Sequence, residues 1–163
     1  MSADLSGEVS LVTATIAMGL MAGLFYGFAC SVMPGLRRAD DRTFVVAMQR
    51  INIAILNGWF AVAFGGAVVL TALAGLFHIR EEGRPALWWI MAAFILYIVT
   101  LAITMRVSVP LNDQLEEAGL PDDVSDLHAI RTRFEAPWVR WNFVRGLVNT
   151  AAFICLIVAL VVG

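Results

Sequence analysis

Trp138, Asn142, Arg145 and Asn149 are separated by four, three and four residues. At about 100° per residue this spacing puts all four on one face of a helix. A stripe of amides around a guanidinium can orient oxygens and hold an anion, but unpaired polar groups are costly in an apolar medium. The stripe must therefore face other helices. Comparable groups recur upstream: Gln49, Arg50, Asn52 and Asn57 in one stretch, then Arg106 and Ser108 followed by Pro110-Leu111-Asn112-Asp113 in another. If these stretches end helices at one depth, three helices bring together amides, guanidinium groups and one carboxylate, that of Asp113. Two arrangements are open. In a structural network, Asp113 pairs with Arg145 or Arg50, the amides bridge helices, and other arginines snorkel to lipid phosphates. In a pocket, the same groups form a polar floor under aromatic walls from Phe25, Tyr26, Trp59 and Trp141.

The elements that must position these residues follow from the apolar excess. Of 163 residues, 60% are hydrophobic and only 15% are charged, against about a quarter charged in a soluble domain. A chain this short exposes much of its surface on folding, so a larger core does not account for the deficit. Charge-free runs cover residues 9–36, 51–78, 85–105 and 146–163. A helix needs about 20 apolar residues to cross hydrocarbon, and Trp138, Trp141 and Phe143 extend the last, shortest run towards the interface. Barrel strands would alternate over about ten residues, which these runs do not. The expected fold is all-α: one membrane domain over residues 1–163, a four-helix transmembrane bundle with spans at about 9–34, 44–78, 86–108 and 138–162.

Connections and caps refine this expectation. Asp40, Asp41 and Thr43 suit the start of a helix running from about Thr43 to Phe77. Gly83 and Pro85 suit a tight turn, and the third helix should stop before Pro110. The long connection from Val109 to Pro137 holds seven of the thirteen acids. Within it, Val124, Leu127, Ile130, Arg131 and Phe134 recur at three- and four-residue steps, the pattern of a short amphipathic helix lying on the membrane surface or capping the bundle. Pro137 fits the first turn of the last span. Gly19, Gly23, Gly27 and Ser31, with Gly58, Gly65 and Gly66, suit close helix packing within the bundle or contact between copies. Cys30 and Cys155 fall inside spans and read as small buried hydrophobes.

All eleven basic residues are arginine, and nine of them lie in the first and third connections and their flanks. Arginine-rich short loops stay cytoplasmic. The chain is therefore expected in the inner (plasma) membrane, multi-pass, with both termini outside and the polar groups near the inner leaflet. The first run lacks a basic start and exceeds a usual signal core, so a retained span is expected. A net charge of −2 gives no basic field for nucleic acid. The implied partners are the bilayer and a hydrophobic small molecule, with a homo-oligomer or a membrane partner subunit left open.

Four stretches carry a family resemblance: Gly23-Leu24-Phe25-Tyr26-Gly27-Phe28 leading to Val32-Met33-Pro34-Gly35-Leu36; Met48-Gln49 with Ile51-Asn52; Val109-Pro110-Leu111-Asn112-Asp113 with Leu115; and Trp138, Asn142 and Arg145. In this order, across most of the chain, they resemble the anthrone oxygenase-like integral membrane family, largely catalogued in bacteria as a domain of unknown function. The resemblance implies four helices and, from the best-known fungal members, oxidation of an anthrone to an anthraquinone with O2 and no evident metal or flavin. No cofactor is expected on that basis, with haem or quinone left open; His78 and His128 fall on opposite expected sides and form no spaced ligand set.

Combined with the residue types, the resemblance assigns roles. Asp113 is the expected base, its proton affinity raised by partial burial. Arg145 is expected to stabilise an enolate or peroxide, with Asn52, Asn112 and Asn142 orienting oxygens and Gln49, Trp138 and Trp141 completing the substrate site. The alternative is a non-catalytic membrane subunit, or a protein that binds lipid, quinone or haem within a larger complex. An enzyme should show an internal cavity lined by these residues; a subunit should show them paired off. A transporter is disfavoured, because the spans show neither an inverted repeat nor broken helices.

Overall fold

The computed structural model describes residues 2–79 and 85–163, with side chains described from residue 5. All regular elements among them are helical. Helix α1 runs Ser2–Gly27 and continues through a π-helical turn, Phe28–Val32, into Met33–Leu36. Helix α2 is Asp41–Ala54 and α3 is Gly58–His78. Helix α4 runs Pro85–Ile103, passes through a second π-helical turn, Thr104–Ser108, and ends with Val109–Glu117. Helix α5 is Leu127–Val162, 36 residues long.

Four segments are long and apolar enough to cross a membrane: Leu5–Leu36, Gly58–His78, Pro85–Glu117 and Leu127–Val162. Their outer faces carry exposed leucine, valine and isoleucine along their length, as at Leu20, Val62, Ile95 and Leu147. So much exposed apolar surface matches a hydrocarbon surround. The chain is a multi-pass helical membrane protein.

Two cores stack along the bundle. In the first, α1 packs on α3 and α5, α5 packs on α4, and α3 closes against α4. Small side chains at the contacts, Ala14, Ala67, Ala93 and Ala152, are fully buried and let the backbones approach. Tyr97 on α4 donates its hydroxyl to the carbonyl of Phe64 on α3 at 2.7 Å. The second core lies at the arginine-rich end, where Met33, Phe44, Val45, Met48, Leu115, Phe134 and Trp138 join α2 to the ends of α1, α4 and α5. Polar ties hold this layer. Arg131 donates to Glu135 at 2.7 Å, Asp41 at 3.0 Å and the carbonyls of Ala39 and Arg37. Gln49 closes the end of α4 by donating to the carbonyls of Leu115 and Gly119. Asp40 caps α2 through the hydroxyl and backbone N–H of Thr43, which together hold its carboxyl below the usual range.

Several expected boundaries move. The helix expected from Thr43 to Phe77 is two helices, broken at Ile55–Asn57, where Asn57 turns extended and caps α3 by accepting from the N–H of Phe60. Asn57-Gly58 is a turn-forming pair whose side chain competes for helical hydrogen bonds. The third helix does not stop before Pro110, nor the first at Pro34. In each, the residue before proline donates five residues back, Met33 to Phe28 and Val109 to Thr104. A proline ring presses on the carbonyl four residues back and offers no N–H; a widened turn just ahead lets the helix continue. The amphipathic segment of the third connection is not separate but forms the first turns of α5, which passes through Pro137 without ending. The Gly83 part of the expected second turn lies outside the described residues, while Pro85 opens α4.

The glycine stripe is only partly a packing device. A Cβ on Gly19 would meet the Phe153 ring at 2.9 Å, whereas at Gly23, Gly27, Gly58 and Gly65 it would meet nothing within 4 Å. Gly7, unremarked in the sequence, sits 3.3 Å from Phe77 by the same measure. Cys30 is exposed rather than buried, and Cys155 is half-buried. Gly19→Leu should destabilise the bundle by about 1–3 kcal/mol through overpacking, while Gly23→Leu should leave stability unchanged or raised. Thermal unfolding of both variants in detergent, followed by helical circular dichroism, checks the contrast.

Candidate functional site

The stripe on α5 faces inward. Asn142 and Asn149 are about fully buried and Arg145 is 9% exposed. Asn142 donates its amide to the carbonyl of Phe25 at 3.2 Å, and Asn149 donates to that of Met18 at 3.1 Å. Both stitch α5 to α1 through backbone oxygens that still have a lone pair to offer. Arg145 donates through Nε and Nη2 to Asn142 Oδ1 at 3.4 and 3.2 Å. Its guanidinium lies 4.4 Å from the centre of the Phe25 ring and 5.6 Å from that of Trp138. Ring faces attract cations, but they do not neutralise one. Among the described residues no carboxylate lies within 4 Å of Arg145.

Above Arg145 is a cavity of about 550 Å³ between the two cores, within the size range of small-molecule sites. Phe25 and Phe28 of α1, Ile51 and Asn52 of α2, Phe60 and Phe64 of α3, and Trp138 of α5 wall it. The three departures from regular helix supply much of the lining: the first π-turn gives Phe28, the α2–α3 break gives Ile55, Leu56 and Asn57, and the second π-turn gives Thr104, Met105 and Ser108. Asn112 also lines it and accepts the indole N–H of Trp138 at 2.9 Å. Asn52 Nδ2 is buried without a hydrogen-bond partner, as is Asn149 Oδ1 deeper in the bundle. On one side the lining is exposed, at Leu56, Ala61 and Gly65 and, across from them, Met105 and Val109. The cavity thus opens sideways between α3 and α4, beyond the point where Tyr97 ties them.

Of the residues expected at the site, Arg145, Asn52, Asn112 and Trp138 line the cavity. Asn142 lies beneath it and holds Arg145. Gln49 is engaged at the end of α4, and Trp141 is half-buried outside the lining. Asp113 is exposed, takes no part in the lining, and forms no ion pair with Arg145 or Arg50. It sits one residue past Asn112, and in a helix that step of about 100° turns the side chain away. Of the four expected aromatic walls only Phe25 is present; Tyr26 and Trp59 are exposed. Phe28, Phe60 and Phe64 take their place. The Asn57-Gly58 break was the available signal for Phe60 and Phe64, since it fixes which face of α3 turns inward. Among the described residues, no three His, Cys, Asp or Glu side chains gather as a metal-ligand set.

Four apolar spans, two stacked cores and a sideways-opening cavity floored by a buried cation define a polytopic membrane protein with an internal small-molecule-sized site. The profile of the family described as anthrone oxygenase matches residues 57–155, well over half the chain, and the chain belongs to that family. The match begins at the helix break and takes in Asn112, Asp113, Trp138, Trp141, Asn142 and Arg145, while Gln49 and Asn52 precede it. No curated protein and no solved structure matches the chain.

A buried guanidinium without a counter-carboxylate strains the fold that holds it. Arg145→Met should therefore unfold at a temperature no lower than the parent. Asn142→Leu, which removes the tie to Phe25 and strands the guanidinium, should lose about 1–3 kcal/mol. Paired thermal unfolding curves in detergent decide this.

Proposed function

We propose that this membrane oxygenase-like protein oxidises a lipid-soluble aromatic carbon acid of the anthrone type, which it binds as an anion over Arg145. One observation carries the reading: among the described residues that line the cavity, Arg145 is the sole ionisable side chain. The lining offers no carboxylate, imidazole, thiol, phenol or amine, so it provides a cation and amide donors but no side-chain base.

The chemistry of an anthrone suits such a site. Its methylene lies between two aromatic rings and across the central ring from the ketone; loss of a proton makes that ring aromatic, places negative charge on the ketone oxygen and leaves the ring carbon electron-rich. A guanidinium at that oxygen favours the ionised form. Asn52 Nδ2, buried and without a partner, is a second donor for substrate oxygen, and the Phe25, Phe28, Phe60 and Phe64 rings match a flat polycyclic body. With no base in the lining and Asp113 turned away, the proton leaves to a water held within the cavity. The carbanion then forms a carbon–oxygen bond to O2, and the resulting peroxide anion takes back a proton from water to become a hydroperoxide. Breaking the remaining C–H and the O–O bond releases water and leaves the new carbonyl, so CH2 and O2 become C=O and H2O.

The sideways opening supports delivery of substrate from the acyl-chain region. The distribution of arginine supports placing this end of the bundle at the cytoplasmic leaflet of the plasma membrane, with both termini outside. A non-catalytic subunit would be expected to pair off its inward polar groups; the uncompensated Arg145 favours a bound small molecule.

Oxygen uptake by purified protein supplied with an anthrone tests the proposal. Arg145→Gln should lower kcat by about 10²–10³-fold, the effect of removing one preorganised donor to a developing oxyanion. Asp113→Asn should retain near-parental turnover. Full activity in Arg145→Gln, or loss of activity in Asp113→Asn alone, contradicts the reading.

A further inference from the structure

A second, larger concavity lies on the outside of the arginine-rich end, between the end of α1 and the first turns of α5. This groove of about 1070 Å³ shares no lining residue with the cavity above Arg145. We propose that it holds the headgroup phosphate of an anionic phospholipid, with the start of an acyl chain laid along its apolar wall.

Charge pairing within the groove points to an anion. Its two acids, Asp41 and Glu135, are already engaged by Arg131, which is 12% exposed in its side chain and also bonded to two backbone carbonyls. Asp41 has His128 as a further neighbour at 3.1 Å. Arg37 approaches Glu135 only at 3.9 Å with a side chain 82% exposed. The side chains of Arg38 and Arg140, also lining the groove, have no hydrogen-bond or ion-pair partner among the described residues. Three guanidinium groups thus rim one concavity whose two carboxylates are held closely by Arg131 and only at 3.9 Å by Arg37. Guanidinium forks match phosphate oxygens in geometry as well as charge.

The other wall selects the ligand class. Below the rim, Ala29 and Met33 on α1 face Ala136 and Val139 on α5. Ala29 lies two helical turns before Arg37, roughly 12 Å at 1.5 Å per residue, on the side of the charge-free run. Arg37 and Arg38 directly follow the end of that run at Leu36, which is where headgroups meet hydrocarbon. A ligand that satisfies both walls is anionic at one end and aliphatic at the other. Free phosphate would fill the rim and leave the apolar wall uncovered.

Native mass spectrometry of the protein released from mixed phosphatidylglycerol–phosphatidylcholine nanodiscs tests the site. The parent should retain phosphatidylglycerol in preference to phosphatidylcholine. Arg38→Gln and Arg140→Gln should each weaken retention about fivefold, the effect of one surface guanidinium near an anionic lipid, and together by more. Arg106→Gln, which removes an exposed arginine outside the groove, should leave retention unchanged. Equal retention of the two lipids, or equal losses in Arg106→Gln and the groove variants, overturns the proposal. So does displacement of the bound lipid by millimolar inorganic phosphate, which would make the site one for free anion.

Discussion

A guanidinium placed in a low-dielectric interior loses its hydration, and the penalty is still several kcal/mol after relaxation. Among the described residues no carboxylate offsets it at Arg145. The surrounding structure consists of partial compensations: two hydrogen bonds to Asn142 Oδ1, the faces of Phe25 and Trp138, and an open volume above. Asn142 does double duty, since the same amide that accepts from Arg145 donates to the backbone of α1. The charge is held in place from below and beside while its upper side is left for something else. Neighbours that supply only neutral acceptors and ring faces leave most of the positive potential directed into the cavity.

The volume itself arises from backbone irregularity. Straight helices packed through the alanine contacts of the first core would close on one another. Instead α1 widens at Phe28–Val32, α4 widens at Thr104–Ser108, and the chain breaks between α2 and α3 at Ile55–Asn57. All three departures lie against the same cavity. Non-helical backbone at membrane depth is tolerated where it is buried in protein or lines a cavity, and π-turns gather at functional sites. Prolines 34 and 110 and the Asn57-Gly58 pair are the sequence origins of these departures. The second core then fixes their ends, with Arg131 tying the α1–α2 turn to α5 and Gln49 tying α2 to α4.

The spans and the inward stripe were legible because both rest on single strong effects. Charge-free length reports the hydrocarbon thickness, and four-three-four spacing reports the face that Asn142, Arg145 and Asn149 share. The helix break was not read, because the apolar run from residue 51 to 78 is unbroken in hydropathy and only the Asn57-Gly58 pair interrupts it. Proline reads as a helix end at Pro34 and Pro110 and as a helix start at Pro137, whereas π-turns absorb the first two and the last helix runs through the third. Asp113 was grouped with Asn112 by adjacency, yet neighbours in a helix point about 100° apart, and only one of the two can face the cavity. The aromatic walls failed for the same reason: Tyr26 and Trp59 adjoin inward residues without sharing their direction. Gln49 has the chemistry of a ligand-binding amide, and its use at a helix end depends on where α4 stops, which a sequence without the π-turn places too early.

The claim at the centre is that the cavity stabilises an organic anion through Arg145. A spectrophotometric pH titration of an anthrone bound to the protein under anaerobic conditions tests it most directly. The bound compound should ionise at lower pH than the same compound in protein-free detergent, and Arg145→Met should erase the difference. An ionisation midpoint that is the same with parent protein, variant and detergent alone would contradict it.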